Sequence, residues 1–235
     1  MNALIWNIRS VNSMEAFTRL IQMQNKYHFG FIWLMEPFQE VSKLENYRRR
    51  IGLQHALANC SRKIWVFIDD IFEFQILSDH VQQLSLKLKV IGTQEEMVIT
   101  LVYAKCTQRD KMDLWESLED MAPYIQLPWL IGGDFNTIVS DAEKYGGLPV
   151  TISEIQDFRA CIQSYGMTDL GFKGSTYTWW NGQSREYCIF KRLDRCLGNQ
   201  DLQDKYPGIE INHLIRTGSD HAPILISYSR NVEPV

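Results

Sequence analysis

Apolar residues recur along this chain in short blocks separated by polar turns, and the period inside each block assigns it. Residues 3–6 are a brief apolar run, and the block after it repeats through Phe17, Leu20 and Ile21 with Asn12 or Ser13 placed to cap it, so a strand and then a helix are expected. Residues 29–35 form a second apolar strand that stops at Glu36-Pro37, where proline offers no ladder N–H. Strands over 64–68, 72–77 and the alternating stretch 84–90 read as antiparallel with one solvated face, and 97–104 as another strand. Thr107 and Asp110 open a helix with Leu114, Leu118 and Met121 on one stripe. A strand over 127–131 runs into Gly132-Gly133-Asp134, and Ser153 with Gln156 reads as a capping box for a helix over 155–165. Strands over 177–180, 209–214 and 222–228 complete the pattern, the last following Ser219-Asp220-His221 directly.

The pattern is that of an ordinary folded protein: 235 residues, 45% hydrophobic and 22% charged, with no linker, repeat or low-complexity tract, which favours one domain over residues 1–235. A net charge of −4 means that any polyanion must be met by local positive patches, not by the chain as a whole. Arg48 to Arg50 read as a solvated helix face, and Lys191, Arg192 and Arg195 as a patch suited to a phosphate backbone. Five cysteines without a C-x-x-C pair disfavour a disulfide framework or a zinc site and suit a reducing compartment. Neither a signal peptide nor a membrane-length apolar run is present, so the expectation is a nuclear or cytoplasmic monomer that is not secreted and has no membrane partner.

The polar residues able to do chemistry fall at the predicted strand ends: Asn7, Glu36, Asp134, Asn136, Asp220 and His221. Oxygen ligands brought to one sheet edge from several strands suit a hard divalent cation with coordination positions left for a phosphate ester. Each residue alone also has a plainer reading, as a turn, a cap or, for Asp194, a member of a solvated charge run.

Taken in order, the motifs are more specific. Trp6-Asn7-Ile8-Arg9, Leu34-Met35-Glu36, Val102-Tyr103-Ala104, Gly133-Asp134-Phe135-Asn136, Arg192-Leu193-Asp194-Arg195 and Ser219-Asp220-His221-Ala222-Pro223 resemble the successive motifs of the endonuclease/exonuclease/phosphatase superfamily. Pro128-Trp129-Leu130, Glu143-Lys144-Tyr145-Gly146-Gly147 and Asp169-Leu170-Gly171-Phe172-Lys173-Gly174 resemble more closely the endonuclease domain of plant LINE-type retrotransposons. No reverse-transcriptase domain or Ala-Asp-Asp motif accompanies them within these residues.

The resemblance implies an α/β (α+β) fold of the deoxyribonuclease I type, a four-layer αββα sandwich of two mainly antiparallel sheets. It also implies a magnesium-dependent DNA endonuclease, with manganese as the alternative ion, that nicks a strand and leaves a 3′-hydroxyl. Glu36 would hold the metal with Asp220 and Asn7. Asp134 would orient or deprotonate the attacking water, with Asn136 beside it, while Tyr103 and His221 would contact the phosphate and Asp194 would orient His221. Trp180, Arg9 and Arg192 are the expected substrate contacts, since Tyr177-Thr178-Trp179-Trp180 resembles a stretch of abasic-site endonucleases that borders the sugar pocket. Strand alternation sends the two tryptophans to opposite faces, one of them into the core. A phosphatase or RNA nuclease of the same fold, and an inactive remnant of an element, are the alternatives.

Overall fold

In the computed structural model, which describes residues 2–150 and 152–228, the chain begins β1 (Asn2–Asn7), α1 (Met14–Tyr27), β2 (Phe29–Met35), α2 (Leu44–Ile51), β3 (His55–Ala58) and β4 (Ile64–Ile68). It continues β5 (Phe72–His80), β6 (Gln83–Val90), β7 (Glu96–Tyr103), α3 (Gln108–Met121), β8 (Trp129–Asp134), β9 (Lys144–Tyr145) and α4 (Ile152–Ser164). The remainder is β10 (Thr168–Asp169), β11 (Lys173–Gly174), β12 (Trp179–Trp180), β13 (Phe190–Lys191), β14 (Asp194–Gly198), α5 (Gln200–Lys205), β15 (Ile209–His213) and β16 (Ile224–Tyr228).

Side-chain alternation along the strands builds the layers. In β1, Ala3 and Ile5 enter the core between two sheets, while Leu4 and Trp6 point the other way and pack with Phe17 and Leu20 of α1 and Tyr47 and Ile51 of α2. In β8, Leu130 enters the inter-sheet core, and Trp129 and Ile131 pack outward with Leu114, Trp115 and Leu118 of α3 and Phe158 of α4. Helices therefore cover the outer faces of two stacked sheets, as the resemblance implied. One sheet has the order β11-β15-β16-β1-β2-β4-β3 and the other β10-β14-β8-β7-β6-β5; β12, β13 and β9 form a small third sheet. The pairs β1/β2 and β7/β8 are parallel, while β16 and β14 run antiparallel to their partners β1 and β8. Among the described residues no helix is long and apolar enough to cross a membrane.

Two expectations need correction. The polar side of β6 is not solvated along its first half, because α3 covers it: Gln83 and Ser85 are buried, Ser85 and Thr100 share a 2.8 Å hydroxyl bond, and Gln83 donates to Ser117 Oγ at 2.7 Å. Helix α4 starts at Ile152, so Ser153 lies inside its first turn and does not cap it, and Thr151 falls outside the described residues. Ser13 and Thr107, in contrast, cap α1 and α3 through their side-chain oxygens.

Gly132 and Gly133 let β8 lie close against its neighbours. A Cβ at Gly133, whose φ is +141°, would overlap the carbonyl oxygen of Val102 in β7. Gly133→Ala is expected to destabilise the chain by about 1–3 kcal/mol through overpacking, read as a lower denaturant midpoint.

Candidate active site

Three hydrogen bonds cross from one sheet to the other at a single rim of the sandwich. Asn7, ending β1, donates from Nδ2 to Asp134 Oδ2, ending β8, at 3.0 Å. Tyr103, ending β7, donates its hydroxyl to Glu36 Oε1, the residue after β2. His221, ahead of β16, donates from Nδ1 to Asp194 Oδ2, opening β14, at 2.8 Å. A carboxylate only accepts, so this last bond places the proton on Nδ1. Topology explains the gathering: the parallel pairs bring four C-terminal strand ends to this rim, and the antiparallel neighbours β14 and β16 bring their N-terminal ends.

Local contacts then hold the group. Ser219 Oγ donates to the carbonyl of Asn7 at 2.7 Å and accepts the His221 N–H at 3.1 Å, which pins the Ser219-Asp220-His221 turn onto β1. Thr178 Oγ1 accepts the backbone N–H groups of Leu193 and Asp194, both at 3.0 Å. Arg9, Glu36 and Asn136 adopt left-handed backbone angles, with φ of 57°, 50° and 48°. Such a conformation costs an L-residue about 1–2 kcal/mol, so surrounding contacts must over-determine it. They do: Glu36 N–H donates to Lys63 O at 2.9 Å, and Asn136 donates its N–H to Asp134 Oδ1 at 2.9 Å and its Nδ2 to Ala104 O at 2.8 Å.

Burial sets the charges. Asp134, Asp194 and His221 are 1%, 1% and 3% exposed. Burial, aided by the neighbouring Asp194, pushes the Asp134 carboxyl up to about 6 against the opposing pull of His221 and the amide of Asn7. Burial alone would depress His221, but Asp194 and Asp134 outweigh it and raise the imidazole to about 9. Its Nε2 stands 3.7 Å from Asp134 Oδ2. Near neutral pH the rim thus holds an imidazolium beside an ionised Asp134. Burial and Glu36 both push the Tyr103 phenol upward, so it remains a donor.

Among the described residues two groupings have the donors for a cation. Atoms of Asp134, Asp194 and His221 lie within 4.8 Å of one another. The His221 Nδ1–H bonded to Asp194 Oδ2 at 2.8 Å already occupies one donor atom of each of these two residues, which argues for a proton relay. Glu36 and Asp220 are the better fit. One guanidinium, that of Arg9, bridges them, with Nη1 2.5 Å from Glu36 Oε2 and Nε 3.1 Å from Asp220 Oδ1. Both carboxylates thus face one cation, and their hard oxygens, with the Asn7 Oδ1 that accepts the Arg9 N–H at 3.3 Å, are the donor types that magnesium takes.

Not every expected contact is where the motifs suggested. Arg192 does not offer its charge to a substrate: it is buried, donating to Glu143 Oε1 at 2.9 Å and Asp169 Oδ1 at 2.7 Å. The second tryptophan is not the one at the acids either. Trp179 donates from Nε1 to Asp220 Oδ2 at 3.0 Å and is bridge-paired with His221, whereas Trp180 stacks on Phe190 and lies under Arg216. Arg195 completes a buried four-charge knot, with Nη2 2.7 Å from Glu143 Oε2 and Nη1 3.0 Å from Asp169 Oδ2. Burial would raise both acids, but the arginines hold Glu143 and Asp169 below the usual carboxylate range. Glu143 and Asp169 sit inside two of the phrases noted above, and their function there is to clamp the arginines on either side of Asp194.

The sequence profile of the endonuclease/exonuclease/phosphatase family matches residues 44–221. The chain belongs to this family. Asn7, Arg9 and Glu36 precede the matched stretch, yet the fold returns them to the rim that carries Asp134, Asp194 and His221. Among solved structures, the endonuclease domain of TRAS1, a telomere-specific non-LTR retrotransposon, is similar at a TM-score of 0.70 and 12% identity, covering 98% of this chain and 99% of that one. The 3′ phosphatase NExo from Neisseria, bound to a product DNA hairpin, is similar at 0.71 and 16% identity, with 97% and 99% covered. TDP2 from D. rerio, complexed with a single-strand DNA product, is similar at 0.63 and 14% identity, with 97% and 98% covered. At these identities the likeness concerns the fold. A search of curated proteins gives no significant sequence match.

Proposed function

We propose that this family member is a divalent-metal-dependent DNA endonuclease of retrotransposon origin, which hydrolyses one phosphodiester and leaves a 3′-hydroxyl. The observation that carries the reading is the rim itself: an acid pair able to hold a metal stands beside a buried carboxylate–imidazolium pair, all joined across the two sheets. Asp134 orients the attacking water and takes its proton, and Asn136 fixes the neighbouring backbone. The His221 imidazolium, aligned by Asp194, donates to a non-bridging phosphate oxygen where negative charge develops, and Tyr103 donates beside it. A divalent cation held by Glu36 and Asp220, with Asn7 alongside, would neutralise charge on the phosphoryl oxygens.

A polyanionic substrate is supported by a cleft of about 370 Å³ next to Asn136, lined by Lys111, Lys144 and Lys191 together with Thr107. These lysines supply the local positive field that a net charge of −4 denies to the chain as a whole. The relatives solved with DNA products support the same substrate class.

Supercoiled plasmid incubated with the protein and magnesium is expected to relax to the nicked circle, and chelation or Glu36→Gln to stop this. No nicking by the parent chain sinks the reading. Release of phosphate from a 3′-phosphorylated oligonucleotide without nicking turns it toward a phosphatase. The pH profile follows from the charges, since the pair must be ionised at Asp134 and protonated at His221. Nicking should rise as pH increases through about 6 and fall through about 9, as the pair loses its required protonation on either side. His221→Gln should lower the rate about 10²- to 10³-fold and abolish the alkaline limb.

A further inference from the structure

We propose that Arg9 is a tethered competitor for the metal, so that a divalent cation enters the Glu36–Asp220 position only as the Arg9 guanidinium leaves it. The inference rests on the metal assignment above and goes beyond it.

All the carboxylate oxygens at this position are engaged. Glu36 Oε1 accepts from Tyr103 and Oε2 from Arg9; Asp220 Oδ1 faces Arg9 Nε at 3.1 Å and Oδ2 accepts from Trp179 at 3.0 Å. Of these donors only Arg9 carries a charge, and only Arg9 touches both acids. Tyr103 and Trp179 each bond the carboxylate oxygen that Arg9 does not touch, Glu36 Oε1 and Asp220 Oδ2. The Arg9 backbone is held in its left-handed turn by an N–H bond to Asn7 Oδ1 at 3.3 Å, but its side chain is 47% exposed while that of Glu36 is 7% exposed. Glu36 is held by its burial and Asp220, 27% exposed, by the Trp179 bond, while the guanidinium has solvent into which to rotate.

Guanidinium and a divalent cation compete here for Glu36 Oε2 and Asp220 Oδ1, the two oxygens that face Arg9. Both carry positive charge, and each needs the same inward oxygens. Metal uptake is thus an exchange of one cation for another, and the displaced guanidinium stays within a side chain's reach of the site. There it becomes available to a phosphate oxygen of the substrate, a partner it lacks while it bridges the acids. Metal and substrate phosphate would consequently favour each other's binding, since each supplies what the other displaces.

Calorimetric titration of the metal-free protein with magnesium and with manganese tests this on the parent, Arg9→Gln and Arg9→Lys. Removing the competitor should tighten metal binding roughly fivefold or more in Arg9→Gln, within the usual range of coupling between two sites, while Arg9→Lys, which retains a cation, stays near the parent. Arg9→Gln should also melt at a lower temperature without metal and gain more from magnesium than the parent does. If Arg9 merely organised the two acids, Arg9→Gln would bind metal more weakly; equal or weaker binding overturns the proposal and leaves the metal assignment standing. Failure of the parent and both variants to take up either ion overturns both. A readout in the parent needs no loss of charge: the ¹⁵N signal of the Arg9 Nε–H, identified by its absence in Arg9→Lys, should shift on adding magnesium, and an unmoved signal at metal saturation refutes the exchange.

Discussion

Asp134→Asn should lower the nicking rate about 10²- to 10⁴-fold, the range lost when a positioned general base is removed, and leave the chain folded. The amide oxygen can still accept the Asn136 N–H now bonded to Asp134 Oδ1 at 2.9 Å, so the left-handed turn at Asn136 keeps its anchor. A neutral side chain there also removes one of two buried like charges facing each other across β8 and β14, where Asp134 and Asp194 are paired in register. With that oxygen kept for Asn136, the new Nδ2 faces the Asn7 Nδ2 donor and the cross-sheet bond is lost, so stability is expected to fall by about 1–3 kcal/mol as activity falls. Single-turnover nicking on supercoiled plasmid gives the first quantity and a denaturant melt the second. A variant that retains parental turnover would remove Asp134 from the chemistry.

Glu143→Ala should show chiefly a large loss of stability. Its side chain is 9% exposed and meets both Arg192 and Arg195, whose side chains are 6% and 0% exposed. Removing one member leaves charge buried with too few partners, a situation that costs about 3–5 kcal/mol, or roughly 6–20 °C of melting temperature in a chain of this size. Asp169 touches both arginines as well and will offset part of the loss. Both acids titrate below their ordinary range in the folded chain. Their contribution is then present above the unfolded carboxylate pKa and is lost as pH falls through the depressed folded values. The variant should accordingly lose less stability than the parent on acidification. A melting temperature within a degree of the parent's would show that the knot contributes nothing.

What was legible in the sequence divides along physical lines. Strands β2 and β4 match their expected bounds because each is an unbroken apolar run buried on both faces and closed by turn residues. Arg48 to Arg50 read as a helix face and do lie on α2, but the charge run hides the buried stripe of Leu44, Tyr47 and Ile51 beneath it, and Arg50 lies over the Phe17 ring while Arg48 and Arg49 pair with Glu45. The two-residue strands β9 and β13 are too short to show any period. At the site, Asn7, Glu36, Asp134 and His221 stood out because reactive side chains at strand ends are uncommon and their order matched a family. The Glu143–Arg192–Asp169–Arg195 knot has no sequence signature, because its pairs form only when β14 and the residues before it meet β10 and the turn ahead of β9. Alternation alone says that Trp179 and Trp180 diverge, not which of them turns toward Asp220.

Because each of the three rim bonds has one end in either sheet, no single half of the molecule owns a working set of groups. A nascent or partly melted chain, with one sheet formed and the other still open, would have its proton donor, its acids and its tyrosine scattered. Under the proposed activity, reactivity of this kind switches on only with complete assembly, and unfinished copies would spare the nucleic acid around them.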